Sequence, residues 1–223
     1  MDSKFFSDHP IELMLIYVFS VITGVRFNEN SKVIFLQIQI GKLLPWGSID
    51  KDTVYWQSLP SYINGQYLEF GYNVNLFSLG NIAVSNNQTI SGFMFQQYGN
   101  SVGYKVFAKE IVDLALPELD EEENVYTELG VDTTFYGNGK TPGLSSTKST
   151  YTKQMAGKVY FGKSGQYVDA GQSFLPYFDG NAVEFDVKIP LAEIGFFQYT
   201  QISSDYAGYI KPFIGSIKFE NYI

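Results

Sequence analysis

The sequence predicts a mainly β protein, an antiparallel β-sandwich or barrel-like domain with one N-terminal α-helix and a long extended loop or arm. Three observations predict it. Between Ala182 and Ile189, the apolar Val183, Phe185, Val187 and Ile189 alternate with Glu184, Asp186 and Lys188, the period of a strand with one buried and one wet face. Ile34, Leu36, Ile38 and Ile40 make a wholly apolar face opposite Phe35, Gln37 and Gln39, as in a strand packed on a core. The chain also holds 19 Phe, 17 Tyr and 21 Gly, a usage that goes with many short strands and tight turns. At 223 residues it is long enough to bury a substantial core. No fixed-period repeat or interdomain linker interrupts it, so residues 1–223 read as a single domain.

The helix is expected over about 10–23. Ser7 or Asp8 caps it, Pro10 suits its first turn, Glu12 lies near its positive end and Gly24 suits its C-terminal cap. The apolar run Leu13 to Ile22 is about half the ~20 residues a bilayer span needs. A secretory leader is not expected either: Lys4 is the only base among Asp2, Asp8 and Glu12, and no small-residue cleavage site follows. Strands are expected over 32–40, 54–57, 66–79 and 89–97, punctuated by Asn64-Gly65, Gly80-Asn81 and Asn86-Asn87. A second helix is expected over 104–116, stopped by Pro117, with Val106, Phe107, Ile111 and Leu114 on one side. Strands resume at 166–178, 182–189, 196–202 and 206–223. Asp179-Gly180 is a pair that type I′ hairpin turns favour, so 177–195 reads as a hairpin whose second strand Pro190 ends.

Charge divides the middle of the chain. Residues 110–132 carry nine acids and no base, and residues 133–168 carry five lysines and no acid. Within the basic stretch, about 137–157 is polar and rich in Ser, Thr and Gly, as in an extended loop or arm. The two blocks are expected to meet, between copies or as a hairpin within one chain. The interaction residues this singles out are Glu118, Asp120, Glu121, Glu122 and Glu123 on the acidic side. On the arm they are Lys140, Lys148 and Lys153, with Leu144, Tyr151 and Met155 as the apolar part of the contact.

Catalytic side chains are scarce. His9 is the only histidine and there is no cysteine, so thiolate chemistry and multi-imidazole metal sites are not expected. Gly139-Lys140-Thr141 lacks the earlier glycine of a phosphate loop, since Thr134 stands there. Glu184, Asp186 and Glu193 are the acids that a glycosidase reading would use, but the first two sit where a strand's wet face carries charge anyway. The net charge is −8 with Arg26 the one arginine, which disfavours nucleic acid as a partner. No cofactor, metal or catalytic residue is expected, and the chain reads as non-enzymatic.

Two resemblances refine this. Val183 to Gly195, V-E-F-D-V-K-I-P-L-A-E-I-G, resembles a stretch of certain β-sandwich carbohydrate-binding modules over thirteen residues. That resemblance implies glycan as a partner, with Trp46, Tyr55 and Trp56 as stacking platforms. The overall style, with 17% charged residues, many Tyr, Phe, Asn and Gln and a long polar arm, resembles virion proteins of tailed bacterial viruses. It implies a structural capsid, neck or tail component that binds copies of itself or other proteins of a large assembly, located in the virion after assembly in the host cytoplasm. The alternatives are the carbohydrate-binding module and an interfacially membrane-anchored protein using residues 11–23.

Overall fold

The computed structural model describes residues 5–7, 11–12, 20–30, 33–44, 47–59, 67–69, 73–86, 88–111, 127–130, 151–161, 177–201 and 208–217. Over these residues the protein is mainly β, with curled, largely antiparallel sheets. The smaller sheet is built on β3 (Ser20–Asn30) and β4 (Val33–Leu43), antiparallel along their whole length. The far edge of β4 is shared by β1 (Phe5–Ser7), which pairs near Val33, and β5 (Ile49–Trp56), which pairs from Gln39 to Leu43. Beyond β1 lies β6 (Tyr67–Glu69), and β14 (Val183–Glu184) pairs with β3 at Gly24 and Val25.

The larger sheet runs through β7 (Leu76–Ala83), β8 (Gln88–Tyr98), β9 (Ser101–Glu110), β15 (Leu191–Gln201) and β16 (Tyr209–Ser216). Short strands complete it: β2 (Ile11–Glu12) on β8, β10 (Thr127–Gly130) on β9, and β13 (Tyr177–Phe178) on β16. Two more, β11 (Tyr151–Gln154) and β12 (Gly157–Tyr160), enter where β7 and β15 part. β15 pairs with β7 only from Glu193 to Phe196, against Ala83 to Gly80. Past that point β12 takes the edge of β7 from Leu76 to Leu79, and β11 takes the edge of β15 from Gln198 to Gln201. The large sheet is therefore forked. Glycines occupy the branch for two reasons: a Cβ on Gly195 would strike the Gly80 carbonyl and lie 2.5 Å from the Phe213 ring, whereas Gly80 takes φ +135°, which a side chain would resist.

Both sheets contribute to one core. Ile22, Val25, Phe27, Ile34, Leu36, Ile38 and Ile40 of the smaller sheet cluster with Phe77, Phe93, Phe95, Tyr104, Val106, Ile194 and Phe196 of the larger. Phe196 is fully buried and central, its ring 4.9 Å from Tyr104, 5.4 Å from Phe27 and 5.4 Å from Phe77. Register shifts at Ile22/Gly24, Ile40/Lys42, Ile90/Gly92 and Leu191/Glu193 bend these long strands.

Several expectations are corrected. The helix over about 10–23 is absent where the chain is described: Ile11–Glu12 pairs with β8, and Ser20 to Thr23 lie in β3, while 13–19 lie outside the described residues. Val21 and Ile22 are both buried, as successive residues are in a strand covered on both faces. The second helix, over 104–116, is likewise strand as far as Glu110. Tyr104, Val106 and Ala108 are fully buried at period two, and 112–116 lie outside the described residues. The hairpin over 177–195 is a crossing between sheets, because β13 joins the larger and β14 the smaller. Asp179 Oδ1 accepts the Asn181 backbone N–H at 3.0 Å, a local turn that does not need a left-handed Gly180. The alternation after it spans only Val183–Glu184 as strand, Val187 is 71% exposed, and Pro190 precedes a strand instead of ending one. Of the arm over about 137–157, the end from Tyr151 lies in the large sheet, and 137–150 lie outside the described residues. Among the described residues no helix is long and apolar enough to cross a membrane.

Candidate functional site

The outward face of the large sheet, around β15 and β16, is the most distinctive surface described. Antiparallel partners share a face, so the pairs Phe197↔Lys211, Tyr199↔Tyr209 and Gly195↔Phe213 point away from the core that Phe196 and Ile210 enter. The β11 register sets Lys153 opposite Tyr199, and the β13 register sets Tyr177 beside Tyr209. Five aromatic rings from three strands thus stand together. Tyr199 stacks on Tyr209 at 5.4 Å, Tyr177 leans on Tyr209 at 5.4 Å, and Phe197 lies 6.4 Å from Phe213. The Lys153 ammonium sits 4.2 Å above Phe197 and 5.5 Å from Phe213. A cation over ring faces is favoured by about 0.5–1 kcal/mol at an exposed site. Lys211 pairs with Asp179 at 3.3 Å, leaving Lys153 as the cation of this face with no ion pair among the described residues. Tyr177 is 49% exposed and the other four rings are partly buried.

The smaller sheet carries a different outer face, a hydrogen-bonded polar network. Thr23 donates to Gln39 Oε1 at 3.0 Å, and Gln39 Nε2 donates to Glu184 Oε2 at 2.7 Å. The Lys188 ammonium meets the same carboxylate oxygen at 2.7 Å. The Lys188 hydrogen bond is the main cause holding the Glu184 carboxyl below its ordinary range; the Gln39 bond and the charges of Lys188 and Arg26 add to it, against partial burial. A carboxylate so held is a poor proton donor, since a glycosidase acid needs a raised pKa. Alongside, Arg26 Nε donates to Gln37 Oε1 at 2.7 Å and its guanidinium lies 4.3 Å over the Trp56 ring. Asn28 donates to the same Gln37 oxygen at 3.0 Å, and Gln37 Nε2 donates to the Gln57 carbonyl at 2.7 Å. These bonds allow Gln37 and Gln39 to be buried. A cleft of about 460 Å³ opens at the end of β3, lined by Arg26, Phe27, Asn28, Glu29, Ile34, Phe178 and Gly180.

Of the interaction residues expected from sequence, Lys153 lies on the aromatic face. Tyr151 lies two positions along the same strand, opposite Gln201, and Met155 is 40% exposed in the bend after β11. Glu118, Asp120, Glu121, Glu122, Glu123, Lys140, Leu144 and Lys148 lie outside the described residues, as does the meeting of acidic and basic blocks. Of the expected stacking platforms, Tyr55 is 50% exposed, Trp56 carries Arg26 on its ring, and Trp46 lies outside the described residues. Phe197, Tyr199, Tyr209, Phe213 and Tyr177 were not singled out from sequence. The signal was there in part, as same-parity aromatics at 197 and 199 and at 209 and 213. Which parity faces outward is set by the core, not by local sequence. The chain matches no protein-family model, and no curated protein matches it in sequence.

Proposed function

We propose that the chain is a non-enzymatic structural protein of a large multi-subunit particle, and that the particle is the virion of a tailed bacterial virus, with the chain in its capsid, neck or tail. The observation that carries the assembly reading is the outward aromatic face of Tyr177, Phe197, Tyr199, Tyr209 and Phe213 with Lys153 above it. Interface centres are rich in aromatics and poor in charge, and tyrosine anchors hold a disproportionate share of binding energy. The virion reading rests on the compositional style of the sequence. Carbohydrate binding has one observation in its favour, the half-exposed Tyr55 beside Trp56.

Light scattering on the purified protein at two concentrations tests the proposal. Mass should rise with concentration, and the double variant Tyr199→Ser, Tyr209→Ser should lower it while the melting temperature stays close to the parent's. A chain that remains monomeric at both concentrations, or a variant that associates as the parent does, counts against the face. A monomer whose Tyr55→Ala variant loses binding on a glycan array would support the carbohydrate reading instead.

A further inference from the structure

The fork in the large sheet has an unusual tenant. Residues 151–160 enter it as two four-residue strands that, among the described residues, pair with other parts of the chain and not with each other. β11 lies on β15 from Gln201 to Gln198, and β12 lies on β7 from Leu79 to Leu76. The bend between them, Met155 and Ala156, is exposed, and Gly157 takes φ +105°, which a side chain would resist. Of the segment's described side chains only Val159 joins the core. Its described hold on the fork includes the ladder hydrogen bonds, Val159 in the core and the Lys153 contact with Phe197 and Phe213. The edges of β7 and β15 that it covers are separate strands, held on their other sides by β9 at Leu76 and Phe77 and by β16 as far as Tyr199.

We propose that in the assembled state residues 151–160 of one copy fill the fork of a second copy. This rests on the assembly reading above and names the exchanged element. The same ladder bonds and the same cation–ring contact form whether the segment belongs to its own fork or a neighbour's, so exchange loses no contact within the fork. It also sets Lys153 of one copy over the aromatic face of the next, joining the candidate face and the segment in one interface.

Disulfide trapping tests this cleanly, because the chain has no cysteine of its own. Lys158 lies opposite Ser78, and antiparallel partners stand about 4.5–5.5 Å apart at Cα, inside the disulfide range. Full-length Ser78→Cys and Lys158→Cys chains are co-expressed, assembled and oxidised, and Ser78→Cys/Lys158→Cys is made as one chain. The proposal expects a covalent dimer from the mixture, absent from either single variant alone, and covalent multimers from the double variant. If the mixture gains mass without covalent dimer while the double variant closes only within one chain, exchange is overturned and assembly stands. If no sample gains mass at any concentration, both fail. A double variant forming no disulfide, within or between copies, overturns the register and the proposal with it.

Discussion

Phe196→Ala is the sharpest perturbation of this fold, because one side chain ties the two sheets together. Its ring lies within 6 Å of Phe27 on the smaller sheet and of Phe77, Phe93, Phe95 and Tyr104 on the larger. Emptying a fully buried phenylalanine site costs about 3–5 kcal/mol. Domains of ordinary stability have about 5–15 kcal/mol in all, so the loss is large but leaves a measurable folded state in the upper part of that range. Phe196→Leu keeps much of the volume and should cost less than about 1.5 kcal/mol. Urea unfolding should be followed by two probes: Trp56 fluorescence in a Trp46→Phe background, which reports the smaller sheet, and far-ultraviolet circular dichroism, which reports both. With one shared core the two transitions coincide in the parent and shift together in the variant. A Trp56 transition that stays in place while the dichroism moves would falsify the shared core. A shift below about 1 kcal/mol by both probes would show that the Phe196 site collapses or is not packed as described.

Gly195→Ala should destabilise by about 1–3 kcal/mol through overpacking against Gly80 and Phe213, read as a lowered urea midpoint, and Phe213→Leu in the same chain should recover part of it. Glu184 gives a pH signature whose sign follows from its depressed folded-state pKa. Its stabilisation is present above the unfolded value of about 4.3 and is lost as pH falls through the lower folded value. The parent should therefore lose stability on that acid limb relative to Glu184→Gln, and parallel curves for the two proteins would refute the role of the Lys188 and Gln39 contacts. Tyr104 donates to the Gly80 carbonyl at 2.7 Å, and burial, helped by the Glu193 charge, pushes its phenol up. Tyr104→Phe should cost about 0.5–1.5 kcal/mol, and a phenol titrating near its ordinary value in the folded parent would contradict the burial.

What the sequence determined by itself is the strand-forming character of the chain and the position of its strongest strand. Ile34, Leu36, Ile38 and Ile40 are legible because a strand's period is two and Gln37 and Gln39 mark the opposite face as polar in composition. The same local signal failed at 20–23, where successive residues are buried and periodicity alone does not separate a doubly covered strand from a buried helix. It failed at 104–110 because Val106 and Phe107 also fit one side of a helix with Ile111 and Leu114, although Tyr104, Val106 and Ala108 are buried at period two. It failed in the opposite sense at 182–189, where a good alternation spans only two residues of strand and leaves Val187 exposed. Tertiary structure alone decided the rest. Lys153 meets Phe197 and Phe213, and Tyr177 and Tyr199 each meet Tyr209, only because sheet register brings distant segments to one face. Likewise nothing local marks Gly195 as a position where a side chain would strike the Gly80 carbonyl until the fork brings the two strands together. Side-chain period is a local property, but register and facing are set by which partner strand the core selects.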